Sequence, residues 1–375
     1  MDDQIQKIVT DLPGLKNVTG VWKLAADRLA QGDAAFVGDL GIALAERHAS
    51  GGGQIWQYRS VLDQLLRLLA TTEGPGNAAQ AVRLASSPGF GGPKTDRQLA
   101  SMLASGQRVR DLASAVFTGP DASDELRACL VQEMVLRDVP VTDTPEIATW
   151  TASPRWRGHP LGRLPLTLSD VEEHPDLPQY GRSGLSHGIP YGPSTGRAMA
   201  ASGSARLPEP EETTTAAAAA LIARAVANWA EESNGRIEAR VFALAEPLDA
   251  ESVPIALLTA GLECMSEPDA ELSLNACPPS RAWRLLFAAA STGGAYNPGS
   301  FGAYGRLAAW QSLAGLSGTP DDATIDEVAA HVRNCAWYDF DAATGWFDRV
   351  AWDIGLAALT PDRRRLAVLA ATDTD

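Results

Sequence analysis

Apolar residues recur at helical spacing through the first 140 residues of the chain. Val21, Ala25 and Leu29 follow one another at intervals of one helical turn, and glycine- and proline-rich breaks such as residues 89–93 separate successive runs. The pattern predicts six or seven helices, each of about 10 to 16 residues, between residues 20 and 140. We expect an irregular helical array or bundle, and the spacing of the helical pairs is also compatible with a repeat-like arrangement.

The last third of the chain has a mixed pattern. Polar and apolar residues alternate over residues 236–244, which predicts a strand with one solvated face. Two apolar runs, 350–359 and 366–371, flank Pro361 and Asp362, which predicts a β-hairpin. With a further strand over 335–340, they predict a small antiparallel sheet covered by helices. Helices are predicted over residues 213–232, 253–264, 280–290, 304–314 and 324–334.

These patterns divide the chain into three parts. Residues 1–145 form the helical array, residues 146–212 form a proline- and glycine-rich connecting segment, and residues 213–375 form an α+β domain that ends in the β-hairpin. We therefore predict a mainly α protein with a smaller α+β part. A length of 375 residues also favours more than one hydrophobic core.

The connecting segment, called the central segment below, differs chemically from its surroundings. Three of the five histidines of the chain lie in it, together with arginines and tyrosines among turn-forming residues. Functional residues gather on irregular segments that a rigid scaffold positions, although a plain linker has the same composition. The candidate ligand-binding residues of this segment are His159, Arg163, Tyr180, Arg182, Tyr191 and Arg197.

A short motif in the central segment resembles that of serine hydrolases. Residues 184–188 read Gly-Leu-Ser-His-Gly, which makes Ser186 a candidate nucleophile and His187 or His174 a candidate general base. That chemistry requires a tight turn between a buried strand and a helix. Pro178 and Pro190 disfavour both elements, so the motif is weak.

The histidines and arginines suggest two other kinds of site. The three histidines lack the helical spacing that places metal ligands on one face, and we predict no metal site. The arginines, set among glycines, could clamp a phosphate or carboxylate group. Alternatively, they pair with the acidic residues of the same segment in a structural network, through Asp170, Glu172, Glu173 and Asp176.

A second glycine-rich loop, residues 293–305, carries aromatic and amide side chains. Tyr296 and Asn297 are candidate ligand-binding residues in it, because they could line a pocket beside the central segment. Glycine more often serves backbone geometry, and the alternative is that this loop only lets two helices approach closely.

Charge and composition exclude several classes of function. The net charge is −15, and no basic cluster offers the surface that binds a nucleic-acid backbone, so we expect no nucleic-acid partner. No long apolar run predicts a membrane span, and the first residues lack the features of a secretory signal, so we expect a cytoplasmic protein. The four cysteines are far apart and predict no zinc site and no disulfide.

Several sequences resemble an uncharacterised bacterial protein family of unknown function. They are the glycine- and tyrosine-containing stretch 293–306, the ending 346–375, the His159-Pro160-Leu161-Gly162 sequence and residues 184–192. The resemblance lies mainly in residues 155–375, and it implies no activity or cofactor.

The sequence therefore favours a protein that binds a small anionic or peptidic ligand at the central segment. One alternative is an enzyme of hydrolase or transferase type, in which histidine acts as a general base and arginine holds an anionic group. Another is a scaffold that binds a protein partner through the helical array.

Overall fold

The computed structural model shows two compact units. It describes residues 3–52, 55–173, 175–181, 184–188, 190–191, 210–267, 271–320, 322–347 and 352–374. Unit 1 comprises Met1–Thr167 and Pro178–Ser186, and unit 2 comprises Leu168–Leu177 and His187–Asp375. The central segment thus contributes residues to both units.

Unit 1 is a helical array. Its helices are α1 (Asp3–Asp11), α2 (Thr19–Ala30), α3 (Ala34–Arg47), α4 (Trp56–Thr71), α5 (Pro75–Ala85), α6 (Pro93–Gly106), α7 (Val109–Leu112), α8 (Asp124–Val135), α9 (Pro145–Thr151) and α10 (Pro154–Gly158). Helix α1 packs against α3, α2 against α4, α3 against α5, α4 against α6, and α6 against α8. Each helix therefore meets the second one along the chain, as in stacked helical pairs. The predicted helical array is confirmed.

Local sequence signals set the helix ends of unit 1. The Asp33 side chain accepts a hydrogen bond from the backbone N–H of Phe36 and caps α3, and Ser123 caps α8 in the same way through Leu126. Proline occupies the first position of α5 and of α6. The apolar stripes face inward, since Leu65 and Leu99 are fully buried.

A two-stranded ribbon completes unit 1. Strand β1 (Gln179–Tyr180) pairs antiparallel with β2 (Leu185–Ser186), and the backbone N–H of Gly181 donates to the carbonyl of Gly184. The ribbon lies at the surface, because Gln179, Leu185 and Ser186 are exposed.

Unit 2 is built on a six-stranded antiparallel sheet. Its strands are β3 (Glu211–Glu212), β4 (Arg236–Ala243), β5 (Leu272–Cys277), β6 (Ala336–Ala342), β7 (Trp352–Leu359) and β8 (Arg365–Asp373). They lie in the order β3-β4-β8-β7-β6-β5. Strands β7 and β8 form the predicted hairpin, with Leu356 opposite Leu369. The predicted small antiparallel sheet is confirmed, while β3 and β5 were not predicted.

Helices cover this sheet. They are α11 (Ala216–Ile222), α12 (Ala227–Glu232), α13 (Val253–Thr259), α14 (Pro279–Thr292), α15 (Phe301–Ser317) and α16 (Ile325–Asn334). One face of the sheet, with Phe242, Phe340 and Val368, packs in a core with Val253 and Leu257 of α13. The alternate side chains lie on the opposite face, where α14 and α15 contact β6, β7 and β8.

The alanine-rich run 213–232 does not form the single helix that its sequence predicts. Glu211 and Glu212 pair with β4 instead of starting the helix, which begins after the capping residue Thr215. A 3-10 turn, Ala223–Ala225, then separates α11 from α12. The Ser312 side chain accepts the backbone N–H of Ala225 at 2.8 Å, so packing against α15 overrides the helix propensity of alanine. None of the described helices has the length and apolar character needed to cross a membrane.

Candidate functional site

The structure distributes the predicted site residues between the two units. His159, Arg163, Tyr180 and Ser186 belong to unit 1. His187, Tyr191, Tyr296 and Asn297 belong to unit 2. His174, Arg182 and Arg197 lie outside the described residues. The candidate residues of the central segment are therefore divided between the two units.

His159 has a structural position at the start of a short 3-10 turn. Its Nδ1 accepts the backbone N–H of Leu161 at 3.2 Å, and its Nε2 lies 3.0 Å from a carboxylate oxygen of Glu125. Because Nδ1 is an acceptor, the ring proton is on Nε2 and donates to Glu125. Both ring nitrogens are engaged. Arg163, at the end of the same turn, is exposed.

Ser186 and His187, the candidate nucleophile and general base, follow one another in sequence but belong to different units. Ser186 is an exposed residue of the ribbon and lies opposite Gln179, so the expected tight turn between a buried strand and a helix is not found around it. The Nδ1 atom of His187 is buried and has no hydrogen-bond partner. A catalytic role for either residue stays a prediction.

Three acidic residues of the central segment pair with arginines on the helices of unit 2. Asp170 meets Arg333 of α16, with the guanidinium nitrogens 2.6 to 3.0 Å from its carboxylate oxygens. Asp176 meets Arg284 of α14 through two hydrogen bonds, of 2.7 and 3.1 Å. Glu172, between them in sequence, pairs with α15. Residues 168–177 are thus attached to three successive helices of unit 2.

The Glu172 contact is the most buried of the three, and we call Glu172, Arg306 and Trp310 the Glu172 cluster. The Arg306 guanidinium donates to both carboxylate oxygens of Glu172, at 2.6 and 2.8 Å, and the Trp310 indole N–H donates at 2.9 Å. The backbone N–H of Ser169 adds a fourth bond at 2.8 Å. Glu172 and Arg306 have no exposed side-chain surface. Both oxygens of the carboxylate therefore accept two hydrogen bonds each, and we assign Glu172 a role in stabilising the fold.

The loop between α14 and α15, residues 293–300, is tightly closed, and we call it the Gly293 loop. A side chain at Gly293 would collide with Asn297 and with the backbone of Gly299, and both glycines have a positive φ, of 83° and 66°. Phe301, the first residue of α15, also has a positive φ, of 60°. Strained backbone of this kind persists where the surrounding structure holds it, and it clusters at ligand-binding sites.

The other end of the glycine-rich stretch brings the two helices together. An added Cβ atom at Gly305 would lie 2.7 Å from the Cβ atom of Ser291, so α14 and α15 approach closely there. At Gly305, the glycine therefore serves the close approach of two helices, which was the alternative to a ligand pocket. It does not account for the contacts of the Gly293 loop.

The C-terminal end of β8 holds the Gly293 loop in place. The Asp373 carboxylate accepts the backbone N–H of Ala295 at 2.7 Å and the hydroxyl of Ser233 at 2.9 Å. A side chain at Gly294 would collide with this carboxylate, so only glycine fits. Asp373 is buried. Each oxygen of this carboxylate thus accepts a hydrogen bond from the protein, and the group keeps its negative charge.

Asn297 connects the Gly293 loop to α12. Its side-chain oxygen accepts the Asn228 amide N–H at 3.2 Å and the backbone N–H of Gly299 at 3.0 Å, and its own amide donates to the Asn228 carbonyl at 3.0 Å. These bonds fix which way the Asn228 side chain points. Its Oδ1 atom is then left buried without a hydrogen-bond partner.

Two aromatic residues lie next to this amide pair. The Trp229 ring is fully buried beside Gly294, and its indole N–H has no hydrogen-bond partner. Tyr191 packs edge-on against it, with the ring centroids 5.8 Å apart. The Tyr191 hydroxyl lies near Thr292 without a hydrogen bond of ordinary geometry, and burial raises its pKa well above the usual value. It is therefore a protonated hydroxyl at neutral pH.

The structure thus brings together two of the predicted residues, Tyr191 and Asn297, with residues that the sequence did not indicate. Asn228, Trp229 and Asp373 were missed. Trp229 is the only tryptophan in the alanine-rich run 213–232, and that isolated aromatic side chain was the one available signal. Tyr296 lies on the same loop and is 60% exposed.

Two familiar kinds of reactive centre, a metal site and a reactive thiol, can be compared with the described residues. Among them, no group of three or more histidine, cysteine or acidic side chains could hold a metal ion. All four cysteines are free, and burial raises the pKa of the Cys335 thiol to about 11 and that of Cys277 to about 12. Thiols with such pKa values are protonated at neutral pH and are poor nucleophiles.

Comparison with known proteins gives a family without an activity. Neither a search of curated proteins nor a search of solved structures finds a match. A family model matches residues 19–375, which is nearly the whole chain and includes both units. The chain belongs to this family, which is described as a family of unknown function, DUF6183.

Proposed function

We propose that this protein binds a small peptidic ligand beside the Gly293 loop of unit 2. The observation that carries the proposal is a set of buried hydrogen-bonding groups without partners, namely the Trp229 indole N–H, the Asn228 Oδ1 and the Tyr191 hydroxyl. A buried polar group without a partner costs about 1–3 kcal/mol, so native proteins keep few of them without a reason. A bound ligand supplies that reason.

The unpaired groups match the two halves of an amide. Trp229 can only donate a hydrogen bond, and the Oδ1 atom of Asn228 can only accept one. These two residues are consecutive in α12, and a peptide group carries a carbonyl and an N–H that are complementary to them. Single unpaired indole groups occur elsewhere in the described chain, as at Trp283. The neighbouring acceptor and the tyrosine hydroxyl distinguish Trp229 from Trp283.

Charge favours a peptidic ligand over an anionic one at this place. The buried charge next to the Gly293 loop is the carboxylate of Asp373, which repels anions. The arginines of α14 are engaged, since Arg281 contacts Asp339 and the carbonyl of Pro190, and Arg284 pairs with Asp176. The exposed ring of Tyr296 adds an apolar surface with a polar tip, which is common at peptide-binding sites.

The proposal is tested by following the indole N–H group directly. The full chain is labelled with ¹⁵N-tryptophan and titrated with N-acetyl-L-alanine methylamide and a set of dipeptide amides. The Trp229 signal, assigned with a Trp229→Phe variant, is expected to shift in a saturable way for at least one probe. The Trp229→Phe change should weaken that binding by about 3- to 10-fold, the value of one neutral hydrogen bond.

Trp283→Phe is the matched control. Trp283 is also fully buried in unit 2 with an unpaired indole N–H, but it stacks on Phe287 in α14. Its replacement should leave the affinity unchanged. The proposal is wrong if no probe gives a saturable shift up to about 10 mM, a limit that covers even weak binding. It is equally wrong if Trp229→Phe binds as tightly as the unmodified protein.

A further inference from the structure

A second group of polar side chains, fully or partly buried, lies in unit 1, and we call it the Tyr180 cluster. It consists of Arg67 of α4, Ser101 of α6, Glu133 of α8, Arg137 just after α8, and Tyr180 of the surface ribbon. Strand β1 contacts α6, which places the tyrosine among the helices. Four separate elements of the chain therefore contribute to one polar cluster.

Hydrogen bonds fix the acidic side of the Tyr180 cluster. The Arg137 guanidinium donates to the Glu133 carboxylate at 2.6 Å and to the Glu133 backbone carbonyl at 2.8 Å. It also reaches the backbone carbonyl of Ser101 at 3.3 Å. The Glu133 side chain has no exposed surface. This carboxylate already has its counter-charge and holds Arg137 in one position.

The other side of the cluster consists of donors without acceptors. The Ser101 hydroxyl, the Tyr180 hydroxyl and the Nε of Arg67 are buried and have no hydrogen-bond partner. Ser101 is 0% exposed. Arg67 Nε can only donate, and both hydroxyls can donate. The Tyr180 hydroxyl lies beside that of Ser101 without a hydrogen bond of ordinary geometry, and burial, followed by the nearby Glu133 carboxylate, raises its pKa well above the usual value. It therefore keeps its proton.

The charges of the cluster leave one positive charge uncompensated. Arg67 and Arg137 carry two positive charges, and Glu133 carries one negative charge. Asp63, one turn before Arg67 on α4, is exposed and is also close to Arg59. When Asp63 and Arg59 are included, three arginines still stand against two carboxylates, so one positive charge remains in excess. Buried donors around a net positive charge are the arrangement that binds an oxyanion, because each donor is stronger when its acceptor is charged.

We propose that Arg67, Ser101, Arg137 and Tyr180 form a binding site for the carboxylate or phosphate group of a small molecule. The site differs from the peptidic one in location, in charge and in ligand chemistry, so either proposal can fail alone. The two hydroxyls and Arg67 Nε supply the hydrogen bonds, and Arg67 supplies the positive charge in excess, while the Glu133 carboxylate holds Arg137 in one position beside them. Tyr180 reaches this site from the surface ribbon, whose strand β1 contacts α6.

Calorimetric titration of the full chain tests this site with sodium acetate and with sodium phosphate as probes. Sodium chloride at equal ionic strength is the reference, since screening alone weakens exposed charge pairs. At least one probe should bind saturably to the unmodified protein. Binding of acetate alone assigns the site to carboxylates, and binding of phosphate alone assigns it to phosphates. Absence of saturable binding for both probes up to about 10 mM would overturn the proposal.

Two variants locate the binding. Tyr180→Phe and Ser101→Ala each remove one hydroxyl, and each should weaken the binding by about 10- to 100-fold, as expected for one hydrogen bond to a charged group. Because both hydroxyls lack protein partners, neither change should lower the melting temperature measured without the probe. If either variant binds as well as the unmodified protein, the cluster is not the site.

Tyr58→Phe is the matched control in unit 1. Tyr58 is 1% exposed, and its hydroxyl donates to the backbone carbonyl of Val9 at 3.3 Å. Loss of that hydroxyl should reduce stability without changing the affinity for acetate or phosphate. An equal loss of affinity in Tyr58→Phe would mean that the effect of Tyr180→Phe arises from general loosening of unit 1, and would also contradict the proposal.

Discussion

The Glu172 cluster and the Tyr180 cluster have similar ingredients and opposite hydrogen-bond balance. Each brings one residue of the central segment together with arginine from its own unit; Arg306 is fully buried, and Arg67 and Arg137 are partly buried. Glu172 accepts four hydrogen bonds, from Arg306, Trp310 and the backbone of Ser169. In the Tyr180 cluster three polar groups have no partner. The difference shows that hydrogen-bond saturation, and not residue type, separates a structural network from a candidate binding site.

The largest expected effect is on stability, in the Glu172 cluster. Glu172→Gln removes a buried charge and leaves Arg306 without its counter-ion in a site with no solvent access. Breaking a buried pair by changing one partner costs about 3–5 kcal/mol. We expect a loss of that size in the free energy of unfolding of unit 2, measured by urea denaturation followed by tryptophan fluorescence.

Asp176→Asn provides a comparison for that prediction. Asp176 belongs to the same segment and also accepts two bonds from one arginine, but its partner Arg284 has 40% of its side chain exposed. Water can replace part of the lost interaction, so the loss of stability should be clearly smaller than for Glu172→Gln. Similar losses for the two variants would show that burial of the Glu172 cluster has no special role.

The sequence predicted most of the fold because the apolar periodicity was strong. The hairpin of β7 and β8 followed from two apolar runs around Pro361 and Asp362, and the helices of unit 1 followed from regular stripes and clear breaks. Strand β5 (Leu272–Cys277) was missed because it is short and only partly apolar. The break between α11 and α12 was missed because it depends on Ser312, nearly ninety residues away in sequence. Local propensity does not contain that contact.

The candidate sites could be predicted only in part, for a related reason. Tyr180, Tyr191 and Asn297 were identified by composition, since polar and aromatic residues among glycines and prolines stand out in a sequence. Their partners were not, because Ser101 and Trp229 lie in ordinary helical sequence and acquire a role only through contacts between distant elements. The acidic residues of the central segment were expected to pair with its own arginines. Asp170, Glu172 and Asp176 pair instead with arginines of α16, α15 and α14.

The next largest effect concerns the support of the Gly293 loop. Asp373→Asn keeps the shape of the side chain but removes the charge that accepts the backbone N–H of Ala295 and the Ser233 hydroxyl. Hydrogen bonds to a charged group are worth about 1.5–3 kcal/mol each, and the amide oxygen can retain one of the two. We expect a loss of about 1–3 kcal/mol in the stability of unit 2.

The same variant tests whether Asp373 only supports the Gly293 loop or also organises the proposed ligand site. Hydrogen exchange of the backbone amides in residues 293–300 should become faster, because the loop loses its anchor. The affinity of the proposed peptidic site beside the Gly293 loop for dipeptide amides should fall as well. Binding that stays unchanged while the loop loosens would show that Asp373 supports the fold without organising a ligand site.

The smallest expected effect comes from the exposed pair at the start of the segment. Hydrogen bonds from Arg333 hold the pKa of Asp170 below its ordinary value, which is about 3.9 for an aspartate. A carboxyl group with a lowered pKa in the folded state stabilises the fold at pH values above its unfolded pKa, and this contribution is lost as the pH falls through the folded pKa.

Because Asp170 and Arg333 are both largely exposed, water and salt screen the pair, and the contribution is small. The melting temperature of Asp170→Asn should therefore lie slightly below that of the unmodified protein at pH 7, and the gap should close in 1 M salt and as the pH falls through the lowered pKa of Asp170. A gap that persists in acid would mean that Asp170 stabilises the protein through packing and not through its charge, and would contradict this prediction.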